Sequence, residues 1–216
     1  MISASDFRKQ IAKPLSEQLK TLGFKGSGFN YIMEGNDFIF TIGVQGDRWG
    51  GQCCAEFGIQ PKGIDGFGGN KLDFKKLKYY QCEFRTRFHS KNGSDQWWHY
   101  SDDAEKNIQI ANQIYDYVSA KVIPVINLFN RDEFILDRIE LADLNDLYKC
   151  LPQKLAGLSV MTTDIRFAWS MTRVYEKRNL TKAKEFAKYG LSKLNVTDTF
   201  LGKPDFERVL SLNNEE

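Results

Sequence analysis

Between Phe29 and Gln60 the chain runs through three stretches in which apolar residues fall at every second position, separated by short turns. Phe29, Tyr31 and Met33 alternate with Asn30 and Glu34, and Glu34-Gly35-Asn36-Asp37 supplies turn chemistry. The next stretch sets Phe38, Phe40, Ile42 and Val44 on one face and Ile39, Thr41, Gly43 and Gln45 on the other. After Asp47-Arg48-Trp49-Gly50-Gly51, Cys53, Ala55, Phe57 and Ile59 alternate against Cys54, Glu56 and Gln60. Period two is the signature of a strand. Strands joined by such short turns must pair antiparallel, because a parallel neighbour needs a long crossover.

A fourth strand is predicted over Gln81 to His89, with Cys82, Phe84, Thr86 and Phe88 inward and Glu83, Arg85, Arg87 and His89 outward. Gln96 to Tyr100 adds a short edge strand. Helical spacing brackets this sheet. Phe7, Ile11, Leu15, Leu19 and Leu22 form one stripe, opened by a Ser3/Asp6 capping box, closed by Gly23, and expected to kink or break at Pro14. From Ser101, an Asp102/Glu105 capping box leads into a helix whose stripe is Ala104, Ile108, Ala111, Tyr115, Val118 and Val122, with Pro124 bending its end.

A short helix around Asp143 to Leu151 follows, then a hairpin of helices over Asp164 to Lys177 and Thr181 to Leu194, and a last helix from Pro204. The hairpin carries the small/large pattern of a single tetratricopeptide-type unit, with no second copy at that period. The expected fold class is α+β: an antiparallel sheet of four to five strands packed by helices on one face, followed by a helical C-terminal region. Residues 1–130 would form the sheet domain and 131–216 a helical extension packed on it.

Composition narrows what such a fold does. A length of 216 residues buries about 70% of the unfolded surface. Apolar residues at 42%, with 13% aromatic, exclude wholesale disorder. Net charge is +2, so no global field favours nucleic acid or membrane. Charge is nonetheless blocked: Lys71 to Lys91 and Met171 to Lys193 are basic, and Asp132 to Asp146 is acidic. The plainest reading sets the acidic block against a basic one, within the fold or across a dimer. The N-terminus has neither a basic n-region nor an apolar h-region, and no stretch is long enough to span a membrane, which points to the cytoplasm. Cys53, Cys54, Cys82 and Cys150 make no disulfide framework and lack zinc-site spacing. Cys82 with His89 and His99 is the one conceivable cluster, and inert buried thiols are the default.

Several of these features together resemble an uncharacterised bacterial family, the domain of unknown function numbered four-three-zero-four. They are the helix ending in Leu22-Gly23-Phe24-Lys25, the Phe29-Asn30-Tyr31, Ile42-Gly43-Val44-Gln45 and Phe57-Gly58-Ile59 strands, Cys82-Glu83-Phe84-Arg85-Thr86-Arg87-Phe88, and Trp97-Trp98. The resemblance covers about Phe7 to Phe129. It implies a fold and a bacterial cytoplasmic setting, and brings no catalytic residues with it.

Candidate sites come from the residues themselves. Arg85, Arg87 and His89 at i, i+2 and i+4 project from one side of the predicted strand. Glu56 and Gln45 are placed to share that side, and Trp97 and Trp98 to border it. Guanidinium forks beside indoles suit a carboxylate, a phosphate or an acidic loop of a partner; the plainer alternative is a solvated sheet face with cross-strand Arg–Glu pairs. Trp49 with Arg48 at a hairpin tip is either an exposed recognition residue or folded back over the sheet edge. The Lys62 to Asn70 Gly-rich segment fails the phosphate-loop pattern, since Lys71 is followed by Leu72, and reads as a flexible loop. Asp102/Asp103 and Asp132/Glu133 read as caps and solvated termini. With two histidines and no nucleophile elbow, the sequence implies no catalytic residues, no metal and no cofactor. The leading expectation is a non-catalytic protein-binding module, an immunity or accessory protein being one form, with a homodimer allowed. Nucleic-acid binding through the basic blocks and an enzyme acting on an anionic small molecule at the Arg85/Arg87 face are the alternatives.

Overall fold

The computed structural model describes residues 2–131, 133–195 and 199–213, so Asp132 lies outside the described residues. The chain divides into two compact units, one of Met1–Gln60 with Asp73–Asp132 and one of Pro61–Leu72 with Glu133–Glu216.

The first unit holds an antiparallel sheet. Strands β1 (Lys25–Ser27), β2 (Asn30–Glu34), β3 (Phe38–Gly46), β4 (Gln52–Pro61) and β5 (Phe84–Arg87) lie in sequence order, and β6 (Trp98–His99) pairs with β4 beside β5. The meander read from alternation is present, and the fold is α+β. The short β1 lies ahead of the first alternating stretch. Its register on β2, with Gly26 opposite Tyr31, needs a glycine, because a Cβ at Gly26 would collide with the Asn30 carbonyl.

Helix α1 (Ala4–Thr21) opens on Ser3, whose Oγ accepts from the Asp6 N–H at 3.1 Å. It closes on Gly23 at φ 95°, with Gly23 N–H to the Lys20 carbonyl and Phe24 N–H to the Leu19 carbonyl. That is the 5→2 and 6→1 pairing that a left-handed residue after a helix permits. Of the kink or break expected at Pro14, the break does not occur: the helix is continuous through it. Its buried stripe of Phe7, Ile11, Leu15 and Leu19 spans both sides of the proline, and burial of that face supports the helix across it.

Helix α2 (Ala104–Tyr117) passes through one π turn at Val118–Val122 into α3 (Ile123–Phe129). The π turn comes directly before Pro124, where the helix must rearrange around a missing N–H. The cap is Asp103 rather than Asp102, accepting from the Glu105 N–H at 2.9 Å. The buried face differs from the predicted stripe too: it is Asn107, Ile110, Ala111 and Ile114, while Ile108 is exposed. Asn107 is fully buried because its amide is spent, accepting from the Ser101 N–H and donating to the Ser101 carbonyl and to Gln10.

Helices α1, α2 and α3 supply the aromatic core on one sheet face, with Phe129 edge-on to Phe38 and Phe40, Tyr117 stacked on Phe88, and Phe7 stacked on Tyr100. The other face is not left to solvent, and β3 and β4 are buried almost throughout. The 73–83 segment lies over it: the Tyr79 ring rests on Gly43, and Cys82 sits on Gly58 with its Sγ 3.2 Å from Thr41 Oγ1. A Cβ at either glycine would collide with that cover.

The second unit is helical, with α4 (Leu147–Lys154), the hairpin α5 (Asp164–Tyr175) and α6 (Leu180–Ser192), and α7 (Lys203–Ser211). The Gly-rich segment forms a tight turn with Gly66 bridged to Asn70. Phe67 projects from it edge-on to Trp169 at 5.1 Å, under the Arg166 guanidinium at 3.7 Å. Trp169 Nε1 donates to Asp205, which also pairs with Arg173 at 2.7 Å. Arg173 thus meets an acid of α7 rather than of the 133–146 segment.

Candidate functional site

Alternation along β5 holds from Phe84 onward. Phe84 and Phe88 are buried, while Arg85 and Arg87 lie on the opposite face with their side chains 33% and 31% exposed. Register places Glu56 opposite Arg87 and Gly58 opposite Arg85. With no side chain on Gly58, both guanidinium groups reach Glu56, Arg87 Nε at 3.4 Å and Arg85 Nε at 3.6 Å. Arg87 Nη1 also meets Asp95 Oδ2 at 2.6 Å, and Arg85 Nη1 donates to the Tyr80 carbonyl. The Asp95 hydrogen bond, ahead of the Glu56 contact, raises the Arg87 pKa above its ordinary value. The His89 Nδ1 lies 3.8 Å from Asp95 Oδ1, and its backbone N–H donates to the Tyr117 hydroxyl. Trp97 borders the cluster, its ring 5.9 Å from the Arg87 guanidinium.

Several sequence expectations change here. Glu56 is not an exposed member of the face: its side chain is 2% exposed beneath the two arginines. Glu83 is buried rather than outward, its N–H held by Gln60 Oε1 at 2.9 Å. Cys82 belongs to the Arg85 side, because the segment before β5 is a turn (Tyr79–Gln81) and alternation starts after it. Trp98 is buried, and its Nε1 donates to Gln113 of α2 rather than bordering the arginines. Gln45 lines a separate recess with Tyr79 and Tyr80. Sequence reasoning missed Asp95, although the Ser90 to Ser94 turn, with Gly93 at φ 85°, was the signal that folds it back beside His89. Two arginines meeting two carboxylates form a neutral network, with little charge left for an anionic ligand.

The Trp49 tip is different. Trp49 is 86% exposed, so it does not fold over the sheet edge. Asp47 builds the turn: one carboxylate oxygen accepts from the Trp49 N–H at 2.7 Å, the other from Gln52 Nε2 at 2.6 Å, and its carbonyl accepts from the Gly50 N–H. Gly50 and Gly51, both at φ 78°, complete it. The Trp49 N–H, and after it Gln52, hold the Asp47 carboxyl below its ordinary 3.8. A depressed folded-state value means the turn gains from this carboxylate at and above that range, and loses the gain as pH falls through the lowered value. Arg48 lies over the indole at 5.1 Å, so cation and ring are presented together.

The three buried cysteines offer no ready nucleophile. Burial pushes the Cys53 and Cys82 thiols up to about 12. Burial raises Cys54 to about 11, with Arg87 offsetting part of the rise. Cys150 alone is partly exposed. Native protein treated with a thiol-reactive chromophore is therefore expected to show one prompt equivalent and three more only in denaturant; rapid labelling of Cys54 without denaturant would contradict this. Among the described residues no group of three or more His, Cys, Asp and Glu gathers as a metal site would require.

No helix among the described residues is long and apolar enough to cross a membrane. No curated protein and no solved structure matches the chain. A family model described as Domain of unknown function (DUF4304) matches residues 15–128, just over half of the 216 residues and the whole of the sheet. The chain belongs to that family.

Proposed function

We propose that this chain is a non-catalytic protein-binding module whose contact surface centres on the Trp49 tip. The observation that carries the reading is a Trp with 86% of its surface in water, fixed on a hairpin turn by Asp47 and stacked with Arg48. A large exposed ring is costly to hydrate and gains most when a partner covers it, and Trp and Arg dominate the energetics of interfaces. A turn held by its own hydrogen bonds loses little freedom on binding. The Arg85/Arg87 cluster is assigned a supporting role, since Glu56 and Asp95 already meet its charges. The same compensation weakens the case for an anionic substrate there. A cytoplasmic setting, and an immunity or accessory role, are parts of this proposal.

The test is quantitative recovery of partners from lysate of the source cell on immobilised protein, with Trp49→Ala and Arg48→Ala beside the native chain. Trp49→Ala is expected to weaken the complex by at least about 2 kcal/mol, roughly thirtyfold. The exposed position should leave the unfolding midpoint unchanged. Recovery by Trp49→Ala equal to that by the native chain would refute the site. Retention of nucleic acid at low salt, lost steeply as salt rises, would redirect the reading to the basic blocks.

A further inference from the structure

The first unit also holds a recess of about 360 Å³ between α1, the β1–β2 turn, the end of β3 and the 78–80 segment. Its composition has a sign. Arg8 and Lys78 line it, no Asp or Glu does, and neither cation has a carboxylate partner among the described residues. This contrasts with Arg85 and Arg87, whose charges are met by acids. Each free cation leans on an aromatic ring of the same recess, Arg8 at 5.2 Å from the Phe29 centroid and Lys78 at 5.8 Å from that of Tyr80. Tyr80 is 53% exposed, leaving ring surface for a second planar group. Asn30 and Gln45 add side-chain amides, each with a donor and an acceptor.

We propose that this recess binds a phosphorylated planar ring of mononucleotide size. The volume lies within the range of small-ligand pockets. Arg8 and Lys78 meet the phosphate, Tyr80 stacks on the ring, and the Asn30 and Gln45 amides read its hydrogen-bonding edge. The proposal is independent of the Trp49 surface.

The full chain would be titrated calorimetrically at low salt with the four ribonucleoside 5′-monophosphates, and with adenosine and inorganic phosphate as single-feature probes. At least one monophosphate is expected to bind with Kd below about 1 mM. Adenosine and phosphate alone should each bind at least about tenfold more weakly, since each offers half of the recognised chemistry. Arg8→Gln and Lys78→Gln should each cost about tenfold and Tyr80→Ala about fivefold, with Trp49→Ala neutral. All three recess side chains reach solvent, so these variants should keep the native circular dichroism and unfolding midpoint. The proposal is overturned if no monophosphate binds up to about 5 mM. It is equally overturned if the Arg8→Gln/Lys78→Gln double variant binds as the native chain does, or if inorganic phosphate binds as tightly as the monophosphate.

Discussion

Replacing both Arg85 and Arg87 with Met is expected to destabilise the protein by about 3–5 kcal/mol, and adding Glu56→Met is expected to recover most of that loss. The reason lies in where the charge is buried. Glu56 is 2% exposed, and both guanidinium groups lie within 3.6 Å of its carboxylate, one on each oxygen. Removing both cations leaves an anion in the sheet interior with neither water nor counter-charge. The remaining apolar stems of Met fill much of the space the arginine stems occupied, so lost packing is the smaller part of the effect. Removing Glu56 as well deletes the uncompensated charge, which is why a third substitution should restore stability rather than erode it further. Urea unfolding with a constant slope measures all three proteins on one scale. A double variant within about 1 kcal/mol of native, or a triple variant less stable than the double, would show that Glu56 is better solvated than its burial implies.

That buried carboxylate also marks the limit of what alternation reveals. Period two located β2, β3 and β4 and sorted Phe38, Phe40, Phe57, Phe84 and Phe88 to one face, because each strand carries that pattern locally. It also assigned Glu56 and Gln60 to water, since polar residues at every second position usually mean a solvated face. Whether that face is covered depends on the 73–83 segment, which is rich in lysine and up to Tyr80 carries no strand or helix pattern of its own. Its footprint was nevertheless in the sequence: Gly43 and Gly58 stand in the middle of the two central strands, where a missing side chain signals close approach. The α2 stripe failed for a related reason. Asn107 holds a core position that periodicity reserves for an apolar residue, and its three hydrogen bonds to Ser101 and Gln10 are tertiary. The exposure of Trp49 was undecided because a hairpin tip has the same sequence whether its ring folds back or stands free; the Asp47 turn settles it outward.

Phe40→Ala is expected to cost about 3–5 kcal/mol, among the largest effects of any single substitution in the sheet unit. Phe40 is fully buried on β3, stacked beside Phe57 of β4 at 6.2 Å and met edge-on by Phe129 of α3 at the same distance. One ring thus joins neighbouring strands to the helix that covers them, and its removal loses both the transfer free energy and two aromatic contacts of about 0.5–1.5 kcal/mol each. Collapse into the vacancy is restricted, since Phe38 and Phe129 are fixed against each other at 5.0 Å and the strand is hydrogen-bonded on both sides. Phe40→Leu, which keeps most of the volume, should cost less than half as much. Because Phe129 ends α3, the alanine variant should also speed amide exchange across Ile123–Phe129 more than across α1, whose buried Phe7 packs on Tyr100 and Phe29. A uniform rise in exchange over both helices, or a stability loss under about 1.5 kcal/mol, would mean that the two strands and α3 are held together by contacts other than this ring.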